Sequence, residues 1–271
     1  MDGIFAAVIL GIVEGITEFL PISSTGHLIL VNQLVNFTGS FANMFNVVIQ
    51  LGAILSVVVY FWRRINPFDN SKTGREERAV WDIWRKTFVA LIPALLIGGT
   101  IGKIVEDALF NPITVALALI IGGIIIIFIE SRPRSASIES IGDMSYKTAF
   151  LIGLAQCLAM IPGTSRSAAT IIGAMLLGSS RSVAAEFSFF LAIPTMAAAS
   201  AYSFLNIETK LSLEQWLFLG VGFVTSFVVA LVVIAAFMNY IRKKDFKPFG
   251  YYRIVIGVIV LILTFGNINL G

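Results

Sequence analysis

Charged side chains are scarce in this sequence. Asp, Glu, Lys and Arg make up 13% of the 271 residues, whereas hydrophobic residues make up 57%. Soluble globular domains carry roughly 25% charged residues, and the mean hydropathy of this chain is +0.90. The shortage of charge excludes an ordinary soluble domain and predicts an all-α membrane protein that crosses the bilayer several times.

Cysteine and a basic leader are also lacking. The single Cys157 excludes an intrachain disulfide framework, and we interpret it as a small apolar helix residue. The first five residues, Met1 to Phe5, carry no positive charge, and no small-residue cleavage site precedes a soluble mature chain. We therefore expect the first helix to be retained rather than removed as a signal peptide.

Long apolar segments supply the predicted membrane spans. A helix needs about 20 apolar residues to cross a bilayer, and the segments close to that length are 4–20, 41–62, 87–107, 112–130, 183–205, 214–239 and 250–268. The apolar stretches 25–36, 147–161 and 167–178 are too short to cross. Short segments on either side of a break are typical of re-entrant hairpins. Pairing 4–20 with 25–36, and 147–161 with 167–178, gives two re-entrant helical hairpins and about six full spanning helices.

The basic residues indicate how these segments are oriented. Cytoplasmic loops of membrane proteins are enriched in Lys and Arg, and placing the segments 63–86, 131–147, 179–182 and 240–253 in the cytoplasm puts 16 of the 19 basic residues there. They are Arg63, Arg64, Lys72, Arg75, Arg78, Arg85, Lys86, Arg132, Arg134, Lys147, Arg181, Arg242, Lys243, Lys244, Lys247 and Arg253. The connections on the opposite side contribute only Lys210. This topology leaves both termini outside.

One pattern occurs twice, 142 positions apart, and each copy is an apolar helix, a proline and a cluster of hydroxyl residues. Gly11 matches Gly153, Glu14 matches Gln156, Ser23 matches Ser165 and Thr25 matches Ser167. Proline stops a helix, and Ser or Thr caps the next one. The predicted topology gives the copies opposite orientations, so we expect an inverted repeat of about residues 1–130 and 147–271 with its site where the broken helices meet. The linker 131–146 joins them within one integral membrane domain, residues 1–271.

Two carboxylates precede the first break. Glu14 and Glu18 are four residues apart, so they lie on one face of the first helix. Charge inside a bilayer is costly and tends to be functional, and two carboxylates suggest a divalent-cation site or a general base with a partner. The alternative is that they snorkel to the surface or bond polar groups within the bundle.

The start of the helix after each break is a candidate anion site. Free backbone N–H groups, hydroxyls and the positive end of the helix dipole attract anions. The hydroxyl candidates are Ser23, Ser24 and Thr25 in the first copy and Thr164, Ser165 and Ser167 in the second. Simple N-capping accounts for one or two of them but not for Arg166, whose planar fork suits bidentate phosphate contact. His27, the only histidine, is a candidate acid, base or nucleophile toward phosphorus.

These motifs resemble those of a known family. Glu14-Gly-Ile-Thr-Glu18, Phe19-Leu-Pro-Ile-Ser-Ser-Thr-Gly-His27 and Pro162-Gly-Thr-Ser-Arg-Ser-Ala-Ala-Thr170 are similar to the signatures of bacterial undecaprenyl pyrophosphate phosphatases, the bacitracin-resistance protein family. The resemblance covers essentially the whole chain. It implies hydrolysis of undecaprenyl pyrophosphate to the monophosphate at the outer face of the plasma membrane, which recycles the lipid carrier of cell-wall synthesis.

The resemblance also implies roles for individual residues. Glu18, Ser24, His27 and Arg166 correspond to catalytic positions, and the family requires a divalent cation, usually Mg²⁺ or Ca²⁺. We expect Glu18 to hold this cation, and whether Glu14 is a second ligand is left open. The positions implied to bind substrate are Ser23, Thr25, Gly163, Thr164, Ser165, Ser167 and Thr170. Thr164 is smaller than the residue of some members, and we expect little effect. The implied partners are undecaprenyl pyrophosphate and membrane lipid, without nucleic acid, and a homodimer is left open.

The residues alone leave several alternatives open. The nucleophile is Ser24 activated by His27, His27 itself, or a water activated by Glu18 and His27. Broken helices in an inverted repeat also occur in secondary transporters, so movement of an anion or of the lipid product is a rival function. A serine hydrolase acting on a peptide or ester is a third hypothesis, which Arg166 disfavours.

Overall fold

The computed structural model describes residues 3–35, 37, 39–133, 135–205 and 211–266. This part of the chain is helical and contains no strand, apart from an isolated bridge between Ile138 and Ser179. The predicted all-α fold is therefore confirmed.

The helices follow one another along the whole chain. The first half contains α1 (Gly3–Thr17), α2 (Ser24–Leu34), α3 (Ser40–Tyr60), α4 (Trp62–Ile65), α5 (Gly74–Ile97), a π-helical segment (Gly98–Gly102), α6 (Lys103–Leu109) and α7 (Pro112–Glu130). The second half contains a 3₁₀ turn (Ile141–Asp143), α8 (Tyr146–Gln156), a second 3₁₀ turn (Cys157–Met160), α9 (Arg166–Leu176), α10 (Arg181–Leu205), α11 (Leu213–Ile241) and α12 (Lys247–Phe265).

Six helices of the described part are long and apolar enough to cross a membrane, in agreement with the expected number. They are Phe41–Tyr60, Gly74–Val105, Pro112–Glu130, Arg181–Ser203, Leu213–Ile241 and Lys247–Phe265. The helices α1 and α9 and the segment Tyr146–Met160 are apolar but shorter. The protein is thus a multi-pass membrane protein.

Two predicted loop boundaries were wrong. The segment 63–86 was expected to be a loop, but α5 begins at Gly74, where Thr73 and Glu76 form a reciprocal capping box. The first turns of this helix carry many charged residues, so a search for apolar segments did not detect its start. The segment 240–253 was likewise expected to be a loop, but α12 begins at Lys247 with a proline in its first turn.

Consequently, two of the basic residues counted as cytoplasmic are buried in helices. The Lys86 ammonium group donates to the carbonyls of Ile141 and Gly142, at 2.9 and 3.0 Å, and Arg253 is fully buried. Arg134 and Lys210, which also entered the count, lie outside the described residues.

Close helix contacts fix the positions of the two breaks. Gly15 lies against α11, where an added Cβ would come 2.8 Å from the carbonyl oxygen of Ser226. Gly153 lies against α5, where an added Cβ would come only 2.0 Å from the carbonyl oxygen of Ala90. Small residues let membrane helices approach this closely. The ends of α1 and α8 that lead into the breaks are therefore held by neighbouring long helices.

The two breaks share an unusual backbone conformation. Ser23 and Ser165, which match at the 142-residue offset, have φ angles of 73° and 72°, a region that non-glycine residues seldom occupy. The Ser165 hydroxyl oxygen accepts from the N–H of Ala168 at 3.2 Å, and that of Ser23 from the N–H of Gly26 at 3.4 Å. Each serine caps the helix that follows, as expected for one or two of the hydroxyl residues.

Candidate active site

Glu18 connects the two breaks. It follows the end of α1, and its backbone N–H still donates to the Glu14 carbonyl at 3.0 Å. One carboxylate oxygen, Oε2, accepts from the Ser24 hydroxyl at 2.8 Å. The other, Oε1, accepts from Nη2 of Arg166 at 2.9 Å, and both side chains of this ion pair are largely buried. A carboxylate thus lies between a serine hydroxyl and a guanidinium from opposite halves of the chain.

Arg166, at the first position of α9, directs its fork toward the first break. Nη1 donates to the carbonyl of Ser188 on α10 at 3.0 Å, and the guanidinium lies 6.0 Å from the centroid of the Phe19 ring. Nε is buried and has no hydrogen-bond partner. The fork predicted to hold phosphate therefore pairs with Glu18 in this structure and keeps Nε available.

Hydroxyl groups link the second break to its surroundings. The Ser167 hydroxyl donates to the carbonyl of Leu20 at 2.9 Å, in the first break, and lies 3.0 Å from the Ser165 hydroxyl. Thr170 is fully buried, and its Oγ1 lies 2.6 Å from the Ser188 hydroxyl. Ser167 therefore joins the breaks, whereas Thr170 supports the residue that receives Arg166.

His27 lies on the first turns of α2 and uses both ring nitrogens. Nδ1 is 2.8 Å from the carbonyl oxygen of Ser23, and Nε2 is 2.7 Å from the hydroxyl of Tyr252 on α12. The structure does not pair His27 with the Ser24 hydroxyl, which donates to Glu18 instead. Thr25, between these two residues, is half-buried.

The buried carboxylate of Glu14 is a candidate cation ligand. It is fully buried, and neither carboxylate oxygen has a hydrogen-bond partner. It is close enough to Glu18 and Arg166 to interact with both charges. Burying a carboxylate without a partner is expensive, and oxygen donors of this kind suit Mg²⁺ or Ca²⁺. The residues therefore fit the predicted cation.

No group of three or more His, Cys, Asp or Glu side chains suited to a metal exists among the described residues. A cation held by Glu14 and Glu18 would thus take its remaining ligands from water or from phosphate oxygens, as Mg²⁺ commonly does.

Arg253 is the residue of the site that sequence reasoning missed. It is fully buried on α12, and its guanidinium donates to five backbone carbonyls at 3.0 to 3.3 Å. These belong to Pro21 in the first break, Gly163 and Thr164 in the second, and Ala118 and Leu119 on α7. One side chain therefore ties both breaks to the same long helix.

The backbone at Gly163 is shaped for this contact. Its φ is 90°, and an added Cβ would come 2.5 Å from the carbonyl oxygen of Val115, so a glycine is required there. A sequence signal for Arg253 exists, because it follows a helix-starting Pro248 and leads directly into an apolar run. An arginine at that place is a functional candidate in a membrane helix.

Comparison with known proteins gives consistent results. Residues 7–259 match the family model described as bacitracin resistance protein BacA. Undecaprenyl-diphosphatase 1 of Clostridioides difficile is 53% identical, covering 97% of this chain and 96% of its own length. The undecaprenyl-diphosphatase of Limosilactobacillus fermentum is 51% identical, covering 95% and 96%, and that of Caldanaerobacter subterraneus is 48% identical, covering 97% of each chain.

The contacts of Arg253 predict a large effect of its removal. Arg253→Met leaves five buried carbonyls without their donor, and each bond to a charged group contributes about 1.5–3 kcal/mol. We expect the melting temperature of the purified protein in detergent to fall clearly. Arg253→Lys should restore only part of it, because an ammonium group cannot reach carbonyls of three segments as the fork does. Arg242→Met, at an exposed arginine, is the matched control. If Arg253→Met had the same melting temperature as this control, the stabilising role of the five Arg253 bonds would be contradicted.

Proposed function

Because the chain belongs to the bacitracin resistance protein BacA family, we propose that it hydrolyses undecaprenyl diphosphate to undecaprenyl phosphate and inorganic phosphate. The chain is a membrane hydrolase acting on a phosphoric anhydride, in agreement with the names of its relatives. This supports the resemblance that the motifs indicated. The observation that carries the proposal is the contact of Ser24, Glu18 and Arg166 across the two breaks.

These three residues fit a phosphoryl transfer through serine. Ser24 Oγ attacks the terminal phosphorus while Glu18 Oε2, 2.8 Å away, accepts its proton. The bond from phosphorus to the bridging oxygen breaks, and undecaprenyl phosphate leaves with the bonding electron pair. Water then attacks the phosphoserine, and the Ser24 oxygen leaves phosphorus and takes back its proton. The structure favours Glu18 over His27 as the base for Ser24, because only Glu18 contacts its hydroxyl.

Phosphate binding is assigned to the second break and the two helix starts. Arg166 supplies a charged fork whose Nε is unpaired, and a phosphate would replace Glu18 as the partner of Nη2. The helix starts supply backbone N–H groups and hydroxyls. The contributing residues are Ser23, Thr25, Gly163, Thr164, Ser165, Ser167 and Thr170, of which Ser167 and Thr170 act by holding their neighbours.

A divalent cation is assigned to Glu14 and Glu18. The unpartnered carboxylate of Glu14 supports this assignment. When bound, Mg²⁺ or Ca²⁺ supplies positive charge that stabilises the phosphate oxygens during transfer. The role of Glu14 in this chain is to offer, beside Glu18, a carboxylate whose oxygens have no other hydrogen-bond partner.

We also propose the finer topology that the sequence predicts. The helix pairs α1–α2 and α8–α9 form re-entrant hairpins in an inverted repeat, and the site opens to the outer face, where it recycles the lipid carrier of cell-wall synthesis. The equal φ angles of Ser23 and Ser165 support the repeat. Exposed basic residues near the connection from α4 to α5 and after α11 support the orientation: Arg63, Arg64, Arg75, Arg78, Arg242, Lys243 and Lys244.

Phosphate release is the test of the activity. Purified protein given undecaprenyl diphosphate should release inorganic phosphate, and a chelator should abolish release until Mg²⁺ or Ca²⁺ is restored. Arg166→Lys should lower kcat by about 100-fold or more, because charge is retained but the fork is lost. Arg242→Lys is the matched control. Absence of release under every metal condition would favour a transporter, and a near-normal Arg166→Lys would refute the assigned role.

The nucleophile can be identified by trapping. Rapid quenching in detergent at neutral pH, which preserves both phosphoserine and acid-labile phosphohistidine, during turnover of substrate labelled in its terminal phosphate should leave label on Ser24, which mass spectrometry locates. Ser24→Ala should lose both the label and turnover, whereas Ser71→Ala, at an exposed serine between α4 and α5, should lose neither. Label on His27 would instead identify a phosphohistidine.

Cysteine labelling tests the topology. In a Cys157→Ser background, a cysteine at exposed Ser71 should be reached by an impermeant maleimide only from the cytoplasm, and one at exposed Glu214 only from outside. The segment between them contains α5, α7 and α10 as crossings, so the two positions lie on opposite sides if α8–α9 re-enters and on the same side if α8–α9 crosses the membrane once. Labelling from the same side would contradict the hairpin.

A further inference from the structure

The contacts of His27 fix the positions of its protons. A backbone carbonyl can only accept a hydrogen bond, so Nδ1 must carry a proton to bond the oxygen of Ser23 at 2.8 Å. A neutral imidazole then has its lone pair on Nε2. The hydroxyl of Tyr252, 2.7 Å away, is therefore the donor to Nε2.

Tyr252 is well placed to hold the imidazole in this state. Its ring lies almost parallel to that of His27, with an interplanar angle of 5° and centroids 5.5 Å apart. The next residue is Arg253, whose five bonds fix this turn of α12 relative to both breaks. The Tyr252 hydroxyl therefore bonds to His27 from a helix whose position is fixed, rather than from a loop.

We propose that Tyr252 is a positioning residue that acts through His27. Its hydroxyl holds His27 as the Nδ1–H tautomer and keeps the lone pair of Nε2 in a fixed direction. The hydroxyl bonds to this lone pair until the reacting water takes its place. This inference rests on the proposed function.

The consequence for the reaction concerns its second step. Ser24 already has Glu18 as its base, so Nε2 serves the water that hydrolyses the phosphoserine. Nε2 accepts a proton from that water as the oxygen–phosphorus bond forms. The bond between phosphorus and Ser24 Oγ breaks, and Ser24 recovers its proton from Glu18. An imidazole in the other tautomer could not accept this proton at Nε2.

Because the chain contains one histidine, the tautomer can be measured directly. In protein labelled with ¹⁵N-histidine, at about pH 8, above the ordinary pKa of imidazole, nitrogen NMR should show Nδ1 protonated and Nε2 unprotonated. In Tyr252→Phe, which keeps the ring, the Nε2 signal should move to the position of a nitrogen without a hydrogen bond. Two protonated nitrogens in the wild type, or protonation at Nε2 alone, would overturn the proposal.

Kinetics separate positioning from a merely structural role. Tyr252→Phe should lower kcat about tenfold, the effect of one neutral hydrogen bond, with KM and melting temperature near the wild-type values. The matched control is Tyr251→Phe, because Tyr251 is adjacent and similarly exposed, at 57% against 42% for Tyr252, and the bond to His27 belongs to Tyr252. A Tyr252→Phe protein with the kcat and histidine signals of Tyr251→Phe would refute the proposal. If the wild type released no phosphate, the proposed function would fail, and the NMR spectra would still decide the bond from Tyr252 to His27.

Discussion

The buried guanidinium of Arg253 is the interaction on which the site depends. A helix that breaks inside a membrane protein leaves carbonyl groups without helical partners, and no water is available to satisfy them. Two such breaks meet here, and Arg253 donates to carbonyls of both as well as to α7. All of these acceptors are neutral. Arg253 therefore stabilises irregular backbone and at the same time places a positive charge next to the two breaks, where phosphate is proposed to bind.

The breaks could be predicted from the sequence because their signals are local. Proline followed by hydroxyl residues marks both, and the capping by Ser23 and Ser165 confirms the local structure. The start of α5 was missed because a hydropathy criterion treats a charged amphipathic turn as a loop. Arg253 was missed for a related reason, since a rule that counts basic residues assigns each to the nearest loop. The bond between His27 and Tyr252 joins residues 225 positions apart, and nothing in either neighbourhood encodes it.

The two copies of the repeat differ where their chemistry must differ. Glu14 corresponds to Gln156, which donates from Nε2 to the Thr195 hydroxyl at 3.3 Å and carries no charge. The first break thus has two carboxylates, and the second break provides the positively charged side chain of Arg166. Because the ion pair between Glu18 and Arg166 forms across the copies, neither half alone contains both of its charges. Removing one partner would leave a buried charge uncompensated, which is much costlier than replacing the pair.

This ion pair also suggests how binding of the proposed substrate would arrange the reacting groups. Glu18 divides its two carboxylate oxygens between Arg166 and Ser24. Under the proposed function, a phosphate that bonds to the Arg166 fork would release Oε1 of Glu18, a residue one helical turn from the unpartnered carboxylate of Glu14. In that proposal, substrate binding would both neutralise the arginine and leave a Glu18 oxygen free to join Glu14 in holding a cation. Because Ser24 already bonds to its proposed base, one exchange of partners at Arg166 would bring the phosphorus to the serine and free oxygen donors for a cation in the same step.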